Sequence, residues 1–255
     1  MAPRKRSQKS QRMGAWKAPK PIPRGVAALS NASWIYGHHA VHAAISNPLR
    51  EAERLIATQD APRSLDPTST ELDIEVVERH EIDSLLPKGA VHQGIALLAA
   101  PLAKFSVEDL IDESAQLDRV LVIALDQVND PQNVGAIMRS AAAFGVNAVL
   151  IPDRHTPNAS GALAKAASGA IEIVPLVRLP NLVRELERLK SEGFWVVGLD
   201  IDAPSSLAAA DLPEKCVLAL GAEGRGLRRL TREACDLTVS IPMSGAIQSL
   251  NVSAS

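Results

Sequence analysis

A chain of 255 residues has room for one large domain or two small ones, and its 46% hydrophobic and 22% charged residues describe a globular protein, not a disordered one. The apolar runs stop well short of the roughly 20 residues that a membrane span needs, and residues 2–24 lack the apolar stretch of a secretory signal, so a soluble, cytoplasmic protein is expected. The net charge of −2 hides an asymmetry: residues 1–25 carry eight basic side chains and no acid, while the remainder has 19 basic against 29 acidic.

Residues 1–33 form this basic arm. Its few apolar residues and its prolines at 19, 21 and 23 predict disorder. Lys and Arg at that density suit a phosphate-binding tail that adds salt-sensitive affinity for RNA; a solubilising terminus is the alternative. From Trp34 to Ile45 the pattern predicts a lead-in and then a short helix, stopped near Asn47 and Pro48. Short strands are predicted over 54–58 and 73–77, a helical turn over 81–86 ending at Pro87, and a closing strand over 92–99. Together they make a small α/β domain over 34–100. Residues 101–118 read as a linker, acidic and helical through Glu108, Asp109, Asp112 and Glu113.

From Arg119 to Ser255 strongly apolar segments alternate with helical ones. Strands are predicted over 120–125, 148–151, 171–177, 195–199, 217–220 and 237–241, and helices over 134–144, 159–168, 181–192 and 228–234. Near-continuous Val, Ile and Leu runs suit a parallel sheet buried on both faces, and the alternation predicts a doubly wound α/β fold. With only seven aromatic residues, Ala, Val, Leu and Ile must fill the core.

Cys216 and Cys235 lie in or beside apolar segments without motif spacing, which predicts buried thiols and neither a disulfide nor a metal site. His38 and His42 share a helix face by their spacing. The zincin pattern needs Glu directly after the first His, and His39 stands there, so no metal is expected.

Three stretches carry the chemistry. The first is Asn133-Val-Gly-Ala-Ile-Met-Arg139, following a strand that ends at Asp126. Asn133 is placed to cap the helix that Gly145 ends, and Gly135, one turn before Arg139, predicts bare surface open to a ligand beneath the guanidinium. The second is Leu218-Ala-Leu-Gly-Ala-Glu-Gly-Arg-Gly226, a strand entering a Gly-rich loop. The order G-x-x-G-x-G differs from the dinucleotide fingerprint, and Glu223 sits where a pyrophosphate would want positive potential. Backbone approach to a neutral or cationic ligand suits this loop better; a tight strand-to-helix turn is the plain structural alternative. The third is Ile241-Pro-Met-Ser-Gly-Ala-Ile-Gln-Ser-Leu-Asn251, where Ser249 and Asn251 open a predicted helix.

In this order and spacing the three stretches resemble the motifs of the SpoU/TrmH-type RNA ribose 2′-O-methyltransferases of the SPOUT superfamily. The starts and ends of the 34–100 segment, Tyr36-Gly-His-His-Ala-Val41 and His92-Gln-Gly-Ile95, resemble the small L30e-like RNA-binding domain of one branch of that family, over a looser match. The resemblance implies a parallel sheet with a trefoil knot, S-adenosylmethionine as methyl donor, no metal, a homodimer, and a ribose 2′-hydroxyl as acceptor. It implies that Arg139 holds or deprotonates that hydroxyl, that Glu223 and Asn133 orient catalytic groups, and that Ser249 and Asn251 orient the hydroxyl and Arg139. It also places the adenosyl moiety on backbone groups of Gly221, Ile241 and Leu250. A guanidinium keeps its proton above about pH 12, so anchoring an RNA phosphate is the easier task for Arg139.

The substrate implied is a guanosine of 23S ribosomal RNA. A transfer RNA is the nearest enzymatic alternative, and a non-catalytic RNA-binding protein the alternative from another class. In relatives a further helix follows the third motif, covering the cofactor; a polypeptide stopping at Ser255 is expected to bind S-adenosylmethionine weakly, which calorimetry on residues 1–255 would test.

Overall fold

The computed structural model describes residues 32–61, 72–153, 161–243 and 251–253; the basic arm up to residue 31 lies outside these, and Ser33 already belongs to the first strand. The first unit is a four-stranded sheet, β1 (Ser33–Tyr36), β2 (Ala52–Ala57), β3 (Ile74–Val76) and β4 (Ile95–Ala99), in the order β1-β4-β2-β3. Helix α1 (His38–Ser46) buries Ala40, Val41 and Ala44, and α2 (Arg79–Leu85) buries Ile82. The expected lead-in at Trp34 is itself a strand, paired antiparallel with β4. Gln93 and Gly94, both at positive φ, turn the chain into β4, and His92 Nδ1 accepts from the Gly94 N–H at 3.1 Å.

The acidic segment forms α3 (Val107–Ser114), started by a reciprocal cap between Ser106 and Asp109. Its Val107 and Leu110 are buried in the same cluster as Leu182, Leu186 and Leu189, so this helix packs onto the second unit.

That second unit is a seven-stranded parallel sheet. Its strands are β5 (Val120–Asp126), β6 (Ala148–Pro152), β7 (Leu176–Leu179), β8 (Trp195–Leu199), β9 (Ser205–Ser206), β10 (Lys215–Gly221) and β11 (Leu237–Ser240), in the order β7-β6-β5-β10-β8-β11-β9. Val122, Ala124, Leu125, Leu150, Val196, Val217 and Ala219 are fully or almost fully buried, as strands covered on both faces require. The helices are α4 (Pro131–Ala143), α5 (Gly161–Ala166), α6 (Leu182–Ser191) and α7 (Arg229–Glu233). In α6 Leu182, Leu186 and Leu189 form the apolar stripe and Asn181 caps the start, accepting from the Arg184 N–H at 3.2 Å.

Two expectations need correction. The strand predicted over 171–177 is a short 3-10 turn, Ala170–Glu172, followed by β7. Gly169 at φ +88 turns the chain, and the Glu172 side chain is buried against the first unit instead of lying in the sheet. Helix α4 begins three residues earlier than predicted, because Asp130 is the cap: its Oδ1 accepts from the Gln132 N–H at 2.9 Å and Pro131 occupies the first turn. Gly145, at φ +69, ends the helix as expected, with the Val146 N–H returning to the Ala141 carbonyl at 2.9 Å. Among the described residues no helix is long and apolar enough to cross a membrane.

Candidate active site

Strands β5, β10, β8 and β11 run parallel, so their carboxyl ends share one edge of the sheet. Gly221 stands opposite Asp126 in register, and Ile241 follows β11 at the same edge. One strand, β8, separates β10 from β11, which puts the two backbones about 10 Å apart across the sheet. The sheet also reverses direction here. From β5 the chain steps outward to β6 and β7, while β10 lies on the other side of β5. Such a reversal opens a crevice at the carboxyl ends of the strands.

The Gly-rich loop is folded tightly on itself. Ala222 and Gly226 form a bridge, the Gly226 N–H donates to the Ala222 carbonyl at 2.9 Å, and Gly224 and Gly226 have φ of 72° and 63°. A Cβ on Gly221 would lie 2.0 Å from the carbonyl carbon of Gly226, so no side chain fits there. The loop is anchored from behind by the fully buried Asp126. Its carboxylate accepts from the Arg228 backbone N–H at 2.8 Å and from Arg228 Nε at 2.6 Å.

Asn133 is not the helix cap expected of it. One turn inside α4, its Nδ2 donates to Glu223 Oε1 at 3.0 Å, joining the first stretch to the second. Asp130, Asn133, Ala222, Glu223 and Val252 line a crevice of about 230 Å³. Six residues further along α4, Arg139 lies exposed in a groove of about 390 Å³ with Ser140, Phe144 and Ser253. The two residues directly after the third stretch reach both spaces, Val252 in one and Ser253 in the other. Asn251 holds that turn: its Oδ1 accepts from the Ser253 N–H at 2.9 Å and from Ser253 Oγ at 2.5 Å, the geometry of a cap. Ser249 and Leu250 lie outside the described residues.

The surface beneath Arg139 is not bare. Gly135 is buried, and a Cβ there would come within 2.5 Å of Ala166 Cβ and 2.6 Å of the Ala166 carbonyl carbon. The glycine admits helix α5, not a ligand.

Chemically, the crevice offers two carboxylates, Asp130 and Glu223, beside Ala222 of the Gly-rich loop, while the space a side chain at Gly221 would need is taken by the Gly226 backbone. That set suits a ligand carrying positive charge and repels a phosphate; a sulfonium with an amino group fits it. Among the described residues no group of three His, Cys, Asp or Glu side chains could hold a metal ion. The Asp126–Arg228 clamp went unseen in the sequence, although an acid closing the run Val-Leu-Val-Ile-Ala-Leu is a signal, since a buried carboxylate needs a partner.

The fold and this crevice define a class. Residues 120–255 match the SpoU rRNA Methylase family, and residues 34–105 match the RNA 2′-O ribose methyltransferase substrate binding family. The chain belongs to the SpoU rRNA methylase family. More particularly, it is 41% identical over 225 residues to the 23S rRNA (guanosine-2′-O-)-methyltransferase RlmB of Salmonella typhi, covering 86% of this chain and 92% of that one. Against the RlmB of Escherichia coli K12 the identity is 40% over the same share of each. Among solved structures, a TrmH-family protein from Porphyromonas gingivalis superposes with a TM-score of 0.71 at 26% identity, over 88% of this chain and 86% of that one. The SpoU methyltransferase AviRb from Streptomyces viridochromogenes shares the fold, with a TM-score of 0.72 at 21% identity over 88% and 85%.

Proposed function

We propose that this protein transfers a methyl group from S-adenosylmethionine to the ribose 2′-hydroxyl of a guanosine in 23S ribosomal RNA. The observation that supports the reading is that the first stretch is bonded to the second, Asn133 to Glu223, while the residues directly after the third, Val252 and Ser253, line the same crevice and the groove of Arg139. The relatives at 40–41% identity along nearly their whole length support the RNA and the base.

In this reading the donor supplies a methyl already activated on positive sulfur; the 2′-oxygen displaces the sulfur in line and its proton passes to solvent, leaving the 2′-O-methyl ribose and S-adenosylhomocysteine. The protein supplies alignment. The Gly221 loop and the backbones of Ile241 and Leu250 hold the adenosyl moiety, while the acidic crevice favours the donor's positive charge. Arg139, exposed beside that crevice, anchors a phosphate next to the reacting ribose. Glu223, through Asn133, fixes the wall between the two spaces, and Ser249 and Asn251 orient the hydroxyl. The domain over 34–100 and the basic arm add RNA affinity. A homodimer, working in the cytoplasm, belongs to the same reading; the exposed Phe144, 73% accessible beside Arg139, is a surface that a second subunit would cover.

The test is transfer of labelled methyl to unmodified 23S rRNA and, in parallel, to transfer RNA, by the full-length protein. Incorporation into 23S rRNA alone is expected. Arg139→Ala should lower the rate on the order of 10²-fold with donor affinity unchanged, the size expected when the reacting ribose is no longer held in line. Label entering only transfer RNA would move the substrate; none in either, with RNA still bound, would leave a binding protein.

A further inference from the structure

Resting on that reading, we infer that Glu172 is a positioning residue that locks the small RNA-binding domain onto the catalytic domain, so that both meet the RNA as one rigid surface. Glu172 is a carboxylate in an otherwise apolar stretch, and its side chain is only 2% exposed. It faces Arg50, itself 8% exposed, in a two-pronged pair: Arg50 Nη2 donates to Oε1 at 2.5 Å and Nε to Oε2 at 3.1 Å. Asn47 Nδ2 adds a bond to Oε2 at 2.9 Å, and the remaining Arg50 Nη1 donates to the Ala100 carbonyl at 2.6 Å, at the exit of the small domain. One acid of the large unit is thus held by two side chains of the small one, and the same arginine ties down the segment joining them.

One apolar cluster joins the two units, from Ile35 and Val41 to Ile137 and Met138, and the ion pair adds a directional bond to it. Around the pair the contact is small-residue packing: Gly169 has no Cβ, and one there would lie 2.3 Å from Ala43 Cβ and 3.1 Å from the His39 carbonyl. To that packing a planar guanidinium against a buried carboxylate adds one fixed geometry. A second tie, Lys165 Nζ donating to the Val91 carbonyl with the Tyr36 ring 5.9 Å away, resists rotation about the first. Behind the contact, α5 and the Ala170–Glu172 turn pack on α4, the helix that carries Asn133 and Arg139. The chain of contacts runs from small domain to catalytic helix with no loose element between.

The experiment compares wild type with Glu172→Gln and with Arg50→Leu, which alters only the small domain. In each, KM for 23S rRNA, kcat at saturating RNA, donor affinity and the radius of gyration in solution scattering are measured. Unlocking is expected to raise KM for RNA at least about tenfold and to enlarge the radius of gyration, since the small domain's RNA contacts become tethered instead of aligned. Donor affinity and kcat stay at wild-type values. A wild-type KM and radius of gyration in both variants overturns the inference. So does a loss of donor affinity in Arg50→Leu, which would make the pair a support for the fold of the catalytic unit alone. If wild type transfers no methyl to RNA, the proposed function fails instead, and scattering still decides whether the lock exists.

Discussion

Asp126 and Arg228 show how little of a site's support is carried by the groups that do chemistry. Asp126 is fully buried, whereas the Arg228 side chain is 47% exposed. The two ends of this pair should therefore respond differently to removal. Arg228→Ala leaves a buried carboxylate with one backbone N–H and is expected to cost about 3 kcal/mol, while Asp126→Ala lets the arginine turn to water and should cost less. Urea denaturation of the two variants checks the order; a larger loss for Asp126→Ala would contradict it. The thiols give the pH dependence. Cys216 is buried and Cys235 half-buried, both are free, and burial pushes each from 9.0 up to about 11. A raised acid favours the folded state fully below its unfolded value, and that contribution is lost as pH rises through the folded one. Stability should thus fall between pH 9 and about 11, and native protein at pH 8 should react slowly with a thiol reagent. Rapid labelling of Cys216 before unfolding would refute the burial.

At the scale of elements, the sequence spoke most clearly where periodicity and a breaker agreed. Helix α6 has its leucines at helical spacing and Asn181 before them, and it forms almost where predicted. Glu172 misled for a physical reason: an apolar run with one acid resembles a strand until the acid's partner, 122 residues away, is known. The start of α4 misled because Asp130 and Asn133 are both good caps. Only the Glu223 carboxylate, brought in from the Gly-rich loop, explains why Asn133 turns elsewhere. Gly135 gives the test at this scale. Alanine is the better helix former by about 1 kcal/mol. The new methyl, however, would press on the Ala166 backbone, and overpacking of that kind costs about 1–3 kcal/mol. Gly135→Ala is expected to lower the melting temperature, by about 2–4 °C for each net kcal/mol lost. A rise would mean that α4 and α5 do not approach as closely as the structure has them.

For the whole molecule, the alternation of strands and helices made the parallel sheet legible, and the first two of the three short stretches meet in the structure through Asn133 and Glu223. No local pattern could reveal that α3 joins the large domain's core, or that one apolar cluster runs from Ile35 and Val41 to Ile137 and Met138. Those facts depend on contacts between distant residues, which a sequence pattern does not contain. The central claim is chemical, that distant stretches meet to methylate a ribose oxygen, and it is tested most directly by the alkali resistance of the product. Ribosomal RNA lacking the modification is treated with the full-length protein and S-adenosylmethionine, then hydrolysed completely in base, which requires a free 2′-hydroxyl. One alkali-resistant dinucleotide is expected, beginning with a 2′-O-methylguanosine and absent with Arg139→Ala. Label recovered only in alkali-labile mononucleotides would place the methyl on a base and contradict it.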